Sequence, residues 1–321
     1  MIARKRMRVW NYLLLLLAFL LAACSVAAEK STPVASATGP PPLAAVATSV
    51  PVATATPMAA RPTSTVRAPT PSVTPVTATQ RTDRCALGIG LNNNTVAIVT
   101  QYRASNGLVM AASPELAAQH FAQLPGWFRV LGAPNLQTLQ QKGERAEAEN
   151  LPYEALAYGL ETGPGTPDGE WKDPLGSTRQ AAAIVDTFGK QLVMGPGFQL
   201  MARNVNAYEP MAAESDIWML QTQQLQKYPP GAEYRRAVQE IVDRIRTGNP
   251  DAEIWAQITL PPDRDPQPAE WLAYHAAIDD LVTGAYIGVY TWDRAEAETL
   301  RAAVAAIFDS VCAESAGAGL K

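Results

Sequence analysis

From about residue 84 onward, short apolar runs alternate with longer amphipathic stretches. The runs at 86–91, 108–112, 128–132, 154–160, 191–194, 217–221, 253–258 and 285–290 are bracketed by Gly, Pro or Asn. Runs of that length with those borders predict buried strands. Between them, 114–123, 136–149, 177–189, 233–247, 269–282 and 294–311 carry the periodicity of helices packed on one face. Ser113-Pro114-Glu115 supplies an N-cap followed by proline at the first helical position. Ser177 opens the third helix and Gly189 ends it as a C-cap. The stretches after the first and fifth strands are less regular. Strand and helix repeated about eight times over 84–321 predict a single α/β domain, a (β/α)8 barrel of the TIM type.

The N-terminal part has a different pattern. A basic head (Arg4, Lys5, Arg6, Arg8) precedes an apolar stretch at 13–21, which closes on Leu21-Ala22-Ala23-Cys24. This is the order of a secretory signal, and it resembles the bacterial lipoprotein signal, the lipobox. The resemblance implies that 1–23 is a signal peptide and that Cys24 accepts a diacylglyceryl thioether and becomes the new N-terminus. The chain is then expected to be extracytoplasmic, lipid-anchored to the bacterial cell membrane or envelope. A transmembrane helix is the alternative, but the apolar stretch at 9–23 falls short of the roughly 20 residues needed to cross the hydrocarbon. From 24 to 83 the chain is Pro, Thr, Ala, Ser and Val with almost no aromatic or charged residue. Such a segment buries too little surface to offset its ordering entropy and is expected to be a disordered linker. At about 3.1 Å per residue in polyproline II, its reach is on the order of 180 Å. Ser/Thr with Pro also suits an O-glycosylated stem, but an inert spacer is the preferred reading.

Composition narrows the chemistry. A formal charge of −4 and no basic stripe speak against nucleic acid as a partner. Cys85 and Cys312 bracket the folded domain, and in an oxidising compartment an even pair predicts a disulfide that brings the first strand to the last helix. The other reading is a pair of buried free thiols. His120 and His275 sit on predicted helices without acid or thiol partners at metal spacing, so no metal is expected. No cofactor is expected either. The glycine-rich loop at 162–171 lacks the lysine and spacing of a phosphate-binding P-loop, and no Gly-x-Ser-x-Gly elbow occurs.

In a barrel of this type function gathers at the C-terminal ends of the strands. Strand alternation in the fourth run places Ala155, Ala157, Gly159 and Glu161 on one face, so that a carboxylate follows a narrow lining. The sixth run sets Met219, Gln221 and Gln223 together, and the seventh sets Trp255, Gln257 and Thr259. Amides within apolar strands need partners, or cost about 1 to 3 kcal/mol each. A single barrel with Glu161 ending strand four, and an eighth strand reading Tyr286-Ile287-Gly288-Val289-Tyr290-Thr291-Trp292, resembles the large clan of (β/α)8 glycoside hydrolases. The resemblance implies an acid/base role for Glu161 and a sugar-stacking role for Trp292; Gln221 and Gln257 of the polar cluster, with Tyr290, are the further candidate substrate contacts. Trp171 is either a stacking platform or a residue packed on its own domain.

The chain departs from that clan where the nucleophile glutamate would end strand seven. Retaining hydrolysis needs a second carboxyl about 5 to 5.5 Å from the first, and inverting hydrolysis one about 6.5 to 9.5 Å away. Gln257 and Thr259 stand there instead. Asp168, Glu170, Asp263, Asp265 and Asp293 are the substitutes on neighbouring loops. The expected function is binding or hydrolysis of a carbohydrate. A non-catalytic solute-binding or structural envelope lipoprotein is the alternative, and the solute-binding form would require two lobes about a hinge.

Overall fold

The computed structural model describes residues 85–102, 107–163, 165–260, 265–289 and 297–317. Eight parallel strands close in sequence order into a barrel. They are β1 (Leu87–Gly90), β2 (Leu108–Ala111), β3 (Phe128–Ala133), β4 (Ala155–Tyr158), β5 (Gln191–Met194), β6 (Ile217–Gln221), β7 (Glu253–Thr259) and β8 (Gly284–Gly288). The ring is sealed where Gly88 of β1 pairs with Tyr286 of β8. A closed barrel has no hinge between lobes, so the two-lobed solute-binding architecture is not the one this chain adopts.

Helices cover the outside: α1 (Val96–Val99), α2 (Pro114–His120), α3 (Leu136–Ala148), α4 (Asp168–Lys172), α5 (Pro174–Thr187), α6 (Phe198–Arg203), α7 (Tyr208–Ala212), α8 (Ala232–Gly248), α9 (Pro268–Ala276) and α10 (Ala297–Gly317). Their starts follow local chemistry. Ser113 Oγ accepts from Leu116 N at 3.3 Å to begin α2, and Asn135 Oδ1 accepts from Thr138 N at 2.8 Å to begin α3. The third predicted helix is corrected at its start: α5 begins one turn before Ser177, because Asp173 caps it through Gly176 N and Pro174 takes the first position. Ser177 is buried and donates instead to Glu170 O at 2.9 Å. Gly189 follows α5 with φ of 64°, the left-handed conformation expected of a C-cap glycine. The predicted helix over 269–282 ends as an α-helix at Ala276. Beyond it Ile278 N bonds His275 O and Leu281 N bonds Ile278 O, tighter turns that still bury Ile278, Leu281 and Val282. The irregular stretches after β1 and β5 are short helices, α1, α6 and α7 among them.

Two apolar layers result. Between strands and helices lies the larger one, in which Phe121, Trp218, Tyr234, Trp271 and Phe308 are fully buried. Inside the barrel, Leu108, Val130, Ala155, Ala157, Val193, Ile217, Met219 and Trp255 pack with Met110, Phe128 and Tyr286. Room for the two large rings comes from glycine. A Cβ on Gly284 would lie 2.8 Å from Trp255 Cζ3, and one on Gly88 would lie 2.9 Å from Tyr286 Cδ2. Cys85, just before β1, is joined by a disulfide to Cys312 of α10, with Cα atoms 4.6 Å apart. The expected tie between the first strand and the last helix is therefore present.

Candidate functional site

A cavity of about 680 Å³ opens at the C-terminal ends of the strands, the size range of small-molecule sites. Register builds its polar wall: Gln221 of β6 pairs with Gln257 of β7, and Gln257 pairs with Tyr286 of β8. The three side chains stand at one level on adjacent strands, and all line the cavity.

Glu161 reaches the same cavity because the chain stays laddered beyond β4. Gly159 N bonds Ala133 O at 2.9 Å, and Gly195 N and Gly197 N bond Tyr158 O and Leu160 O at 3.0 and 2.8 Å. These bonds carry Glu161 to the rim, beside Gly197, where its side chain is exposed to the cavity and solvent. Gln221 Nε2 donates to Glu161 Oε1 at 2.5 Å. Gln221 Oε1 in turn accepts from Phe198 N and from Gln223 Nε2, each at 3.3 Å. Those two donors fix which end of the Gln221 amide faces the glutamate. Gln223 belongs to the 3₁₀ turn that follows β6 rather than to the strand.

Among the described residues, the β7–β8 side carries polar side-chain groups with no protein hydrogen bond. The Gln257 amide makes no side-chain hydrogen bond among the described residues, and Thr259 Oγ1 is buried without a partner. Tyr286 lies across the glycines of β1, its hydroxyl 3.1 Å from where a Gly90 Cβ would sit, and burial pushes its phenol pKa well up. The Gln257 amide and the Tyr286 hydroxyl line the cavity, so each is a hydrogen bond on offer to whatever enters.

The remaining predicted site residues fall elsewhere. Trp171 is not on the cavity wall; it packs against the outer core, with Lys172 Nζ 5.2 Å from its ring centre. Asp168 is exposed and pairs with Lys172 at 2.9 Å. Glu170 accepts from Leu136 N at 3.1 Å and from the Tyr158 hydroxyl at 2.7 Å, so it braces α3 against β4. Asp265 is exposed and off the cavity. Tyr290, Trp292, Asp263, Asp293 and Cys24 lie outside the described residues. Among the described residues, Glu161 is the one carboxylate lining the cavity.

Tyr286 and Lys142 are among the cavity residues that sequence reasoning passed over. Tyr286 had a signal, since alternation puts it on the same inner face as Gly88 and Gly90, whose missing side chains leave space for a ring. Lys142, in the middle of α3, had none. Among the described residues no three His, Cys, Asp or Glu side chains gather as a metal site would require, and no helix is long and apolar enough to cross a membrane.

No family model matches the chain, and no curated protein matches it. Several solved barrels are similar in structure. A glycoside hydrolase family 17 β-1,3-glucanosyltransferase from Rhizomucor miehei aligns at 12% identity and a TM-score of 0.42, covering 63% of this chain and 86% of that one. An endo-1,4-β-D-mannanase from Thermotoga petrophila aligns at 10% and 0.39, covering 63% and 87%. A xylanase and α-amylase inhibitor protein from Scadoxus multiflorus aligns at 9% and 0.41, covering 70% and 97%. The likenesses thus include both glycoside hydrolases and an inhibitor, and none carries an activity to this chain.

Proposed function

We propose that this chain is an extracytoplasmic lipoprotein, acylated at Cys24 after removal of 1–23, tethered by 24–83, whose barrel binds a carbohydrate in the mouth formed by the strand ends. The observation that supports the sugar reading is the convergence of Glu161, Gln221, Gln257 and Tyr286 on one cavity. A carboxylate accepts from two hydroxyls, an amide both donates and accepts, and a phenol does either. That inventory matches a ring bearing neighbouring hydroxyl groups.

Binding is favoured over hydrolysis. Both two-carboxylate routes need a partner for Glu161, and the register position where β7 faces the cavity holds the Gln257 amide. An amide forms no glycosyl ester and is too weak a base to activate water.

A glycan array and a glycosidase screen, run on the wild type and on Glu161→Gln, test the reading. Retained glycans with no turnover, and weaker retention by the variant, support it. Turnover abolished by the substitution makes the protein an enzyme instead, and silence in both assays removes carbohydrate altogether. For the anchor, Cys24→Ser is expected to yield unlipidated or uncleaved precursor. A variant that still partitions into detergent at the mature mass refutes acylation at that residue.

A further inference from the structure

The mouth carries a second charge that the sugar contacts above leave unused. Lys142 sits in the middle of α3, and because side chains lean toward a helix N-terminus, its stem climbs to the ends of β2 and β3. There Nζ donates to Ala112 O at 2.6 Å and to Gly132 O. An ammonium has three donors, and the third has no partner among the described residues.

A helical lysine ordinarily extends its charge into water. Lys142 is half-buried, lines the cavity, and belongs to none of the ion pairs among the described residues. Loss of water pulls its pKa below the ordinary lysine value, against the attraction of Glu115. Two carbonyl dipoles are a partial substitute for hydration; a buried charge is settled fully only by an opposite one. Among the described residues the cavity's other charged side chain is Glu161, past the end of β4, the strand beside β3, so one bound molecule can meet both signs.

We propose that Lys142 receives an anionic group of the ligand, so that the mouth selects an acidic carbohydrate, one bearing a ring carboxylate, over its neutral counterpart. This rests on the carbohydrate reading and adds the class of sugar to it.

Isothermal titration of the full chain with glucuronate- and galacturonate-containing oligosaccharides, beside the matching glucose and galactose oligosaccharides, tests it. The wild type is expected to prefer the acidic series by about tenfold at low salt, with the preference shrinking as salt screens the pair. Lys142→Met should abolish the preference and leave neutral affinity unchanged, whereas Lys142→Arg should keep it. Equal affinity of the wild type for both series overturns the inference while carbohydrate binding stands, as does a preference that survives in a folded Lys142→Met. Should the Met variant not fold, the wild-type comparison and its salt dependence decide alone. Binding of neither series overturns the carbohydrate reading itself, and this inference with it.

Discussion

Replacing Cys85 and Cys312 together by alanine opens the covalent loop between positions 227 residues apart. In the chain-entropy account, a cross-link closing a loop of that length destabilises the unfolded chain by about 5 kcal/mol at 25 °C. The folded side of the balance changes less. Both sulfurs are buried, at 4% and 7% exposure, so alanine leaves two small voids that add about 1 kcal/mol. The fold itself keeps its closure, because the β1–β8 ladder and the packing of Val304, Ile307 and Phe308 of α10 do not pass through the bridge. In a domain of this size 1 kcal/mol moves Tm by about 2–4 °C, so a loss of about 6 kcal/mol should make the double variant melt roughly 12–24 °C lower yet still fold at 25 °C. Urea unfolding followed by circular dichroism gives a second readout. The urea dependence should steepen, since a chain without the loop exposes more surface when unfolded. Either single variant should match the double one, because each breaks the same bond. A double variant melting within about 3 °C of the wild type, with unchanged urea dependence, would refute the loop-entropy reasoning.

Other changes probe packing, protonation and the site. Gly284→Ala sets a methyl 2.6 Å from Ala86 O and 2.8 Å from the Trp255 ring, and should cost about 1–3 kcal/mol by urea titration; a neutral result would mean that the inner core yields easily. His275 is partly buried, stacked on Trp271, and desolvation holds its pKa below the ordinary imidazole value despite Asp279 nearby. Below about pH 6.5 the unfolded chain therefore binds a proton that the folded histidine resists, so stability should be full above that pH and decline below it. His275→Gln should flatten that decline in thermal melts, and an unchanged profile would remove His275 as its source. Gln221→Leu deletes the donor to Glu161, and is expected to weaken carbohydrate affinity about tenfold by titration. Its melting point should stay within about 3 °C, since Gln221 is only partly buried at the barrel rim.

The barrel was readable because its strands are buried on both faces and so appear as unbroken apolar runs. The runs at 191–194 and 217–221 match β5 and β6 residue for residue. Helix boundaries were readable where a cap residue had no rival, as at Ser113 and Gly189. They slipped where two candidates competed, since Asp173-Pro174 lies one turn before Ser177. The site was half readable. Alternation along one strand brings Gln221 and Gln257 to the inner face, and register then sets them side by side. Lys142 escaped because its place in the cavity depends on a long side chain crossing between elements, which no periodicity records.

Topology also bears on how a tethered barrel would work. The chain enters β1 from Cys85, at the N-terminal ends of the strands, and the cavity opens at the opposite ends, where Glu161, Gln221 and Gln257 stand. The disulfide holds that entry point to α10. On the lipoprotein proposal, the chain enters the barrel at one end of the ring and the cavity opens at the other. A barrel suits this division because parallel strands place every strand start on one face and every strand end on the other.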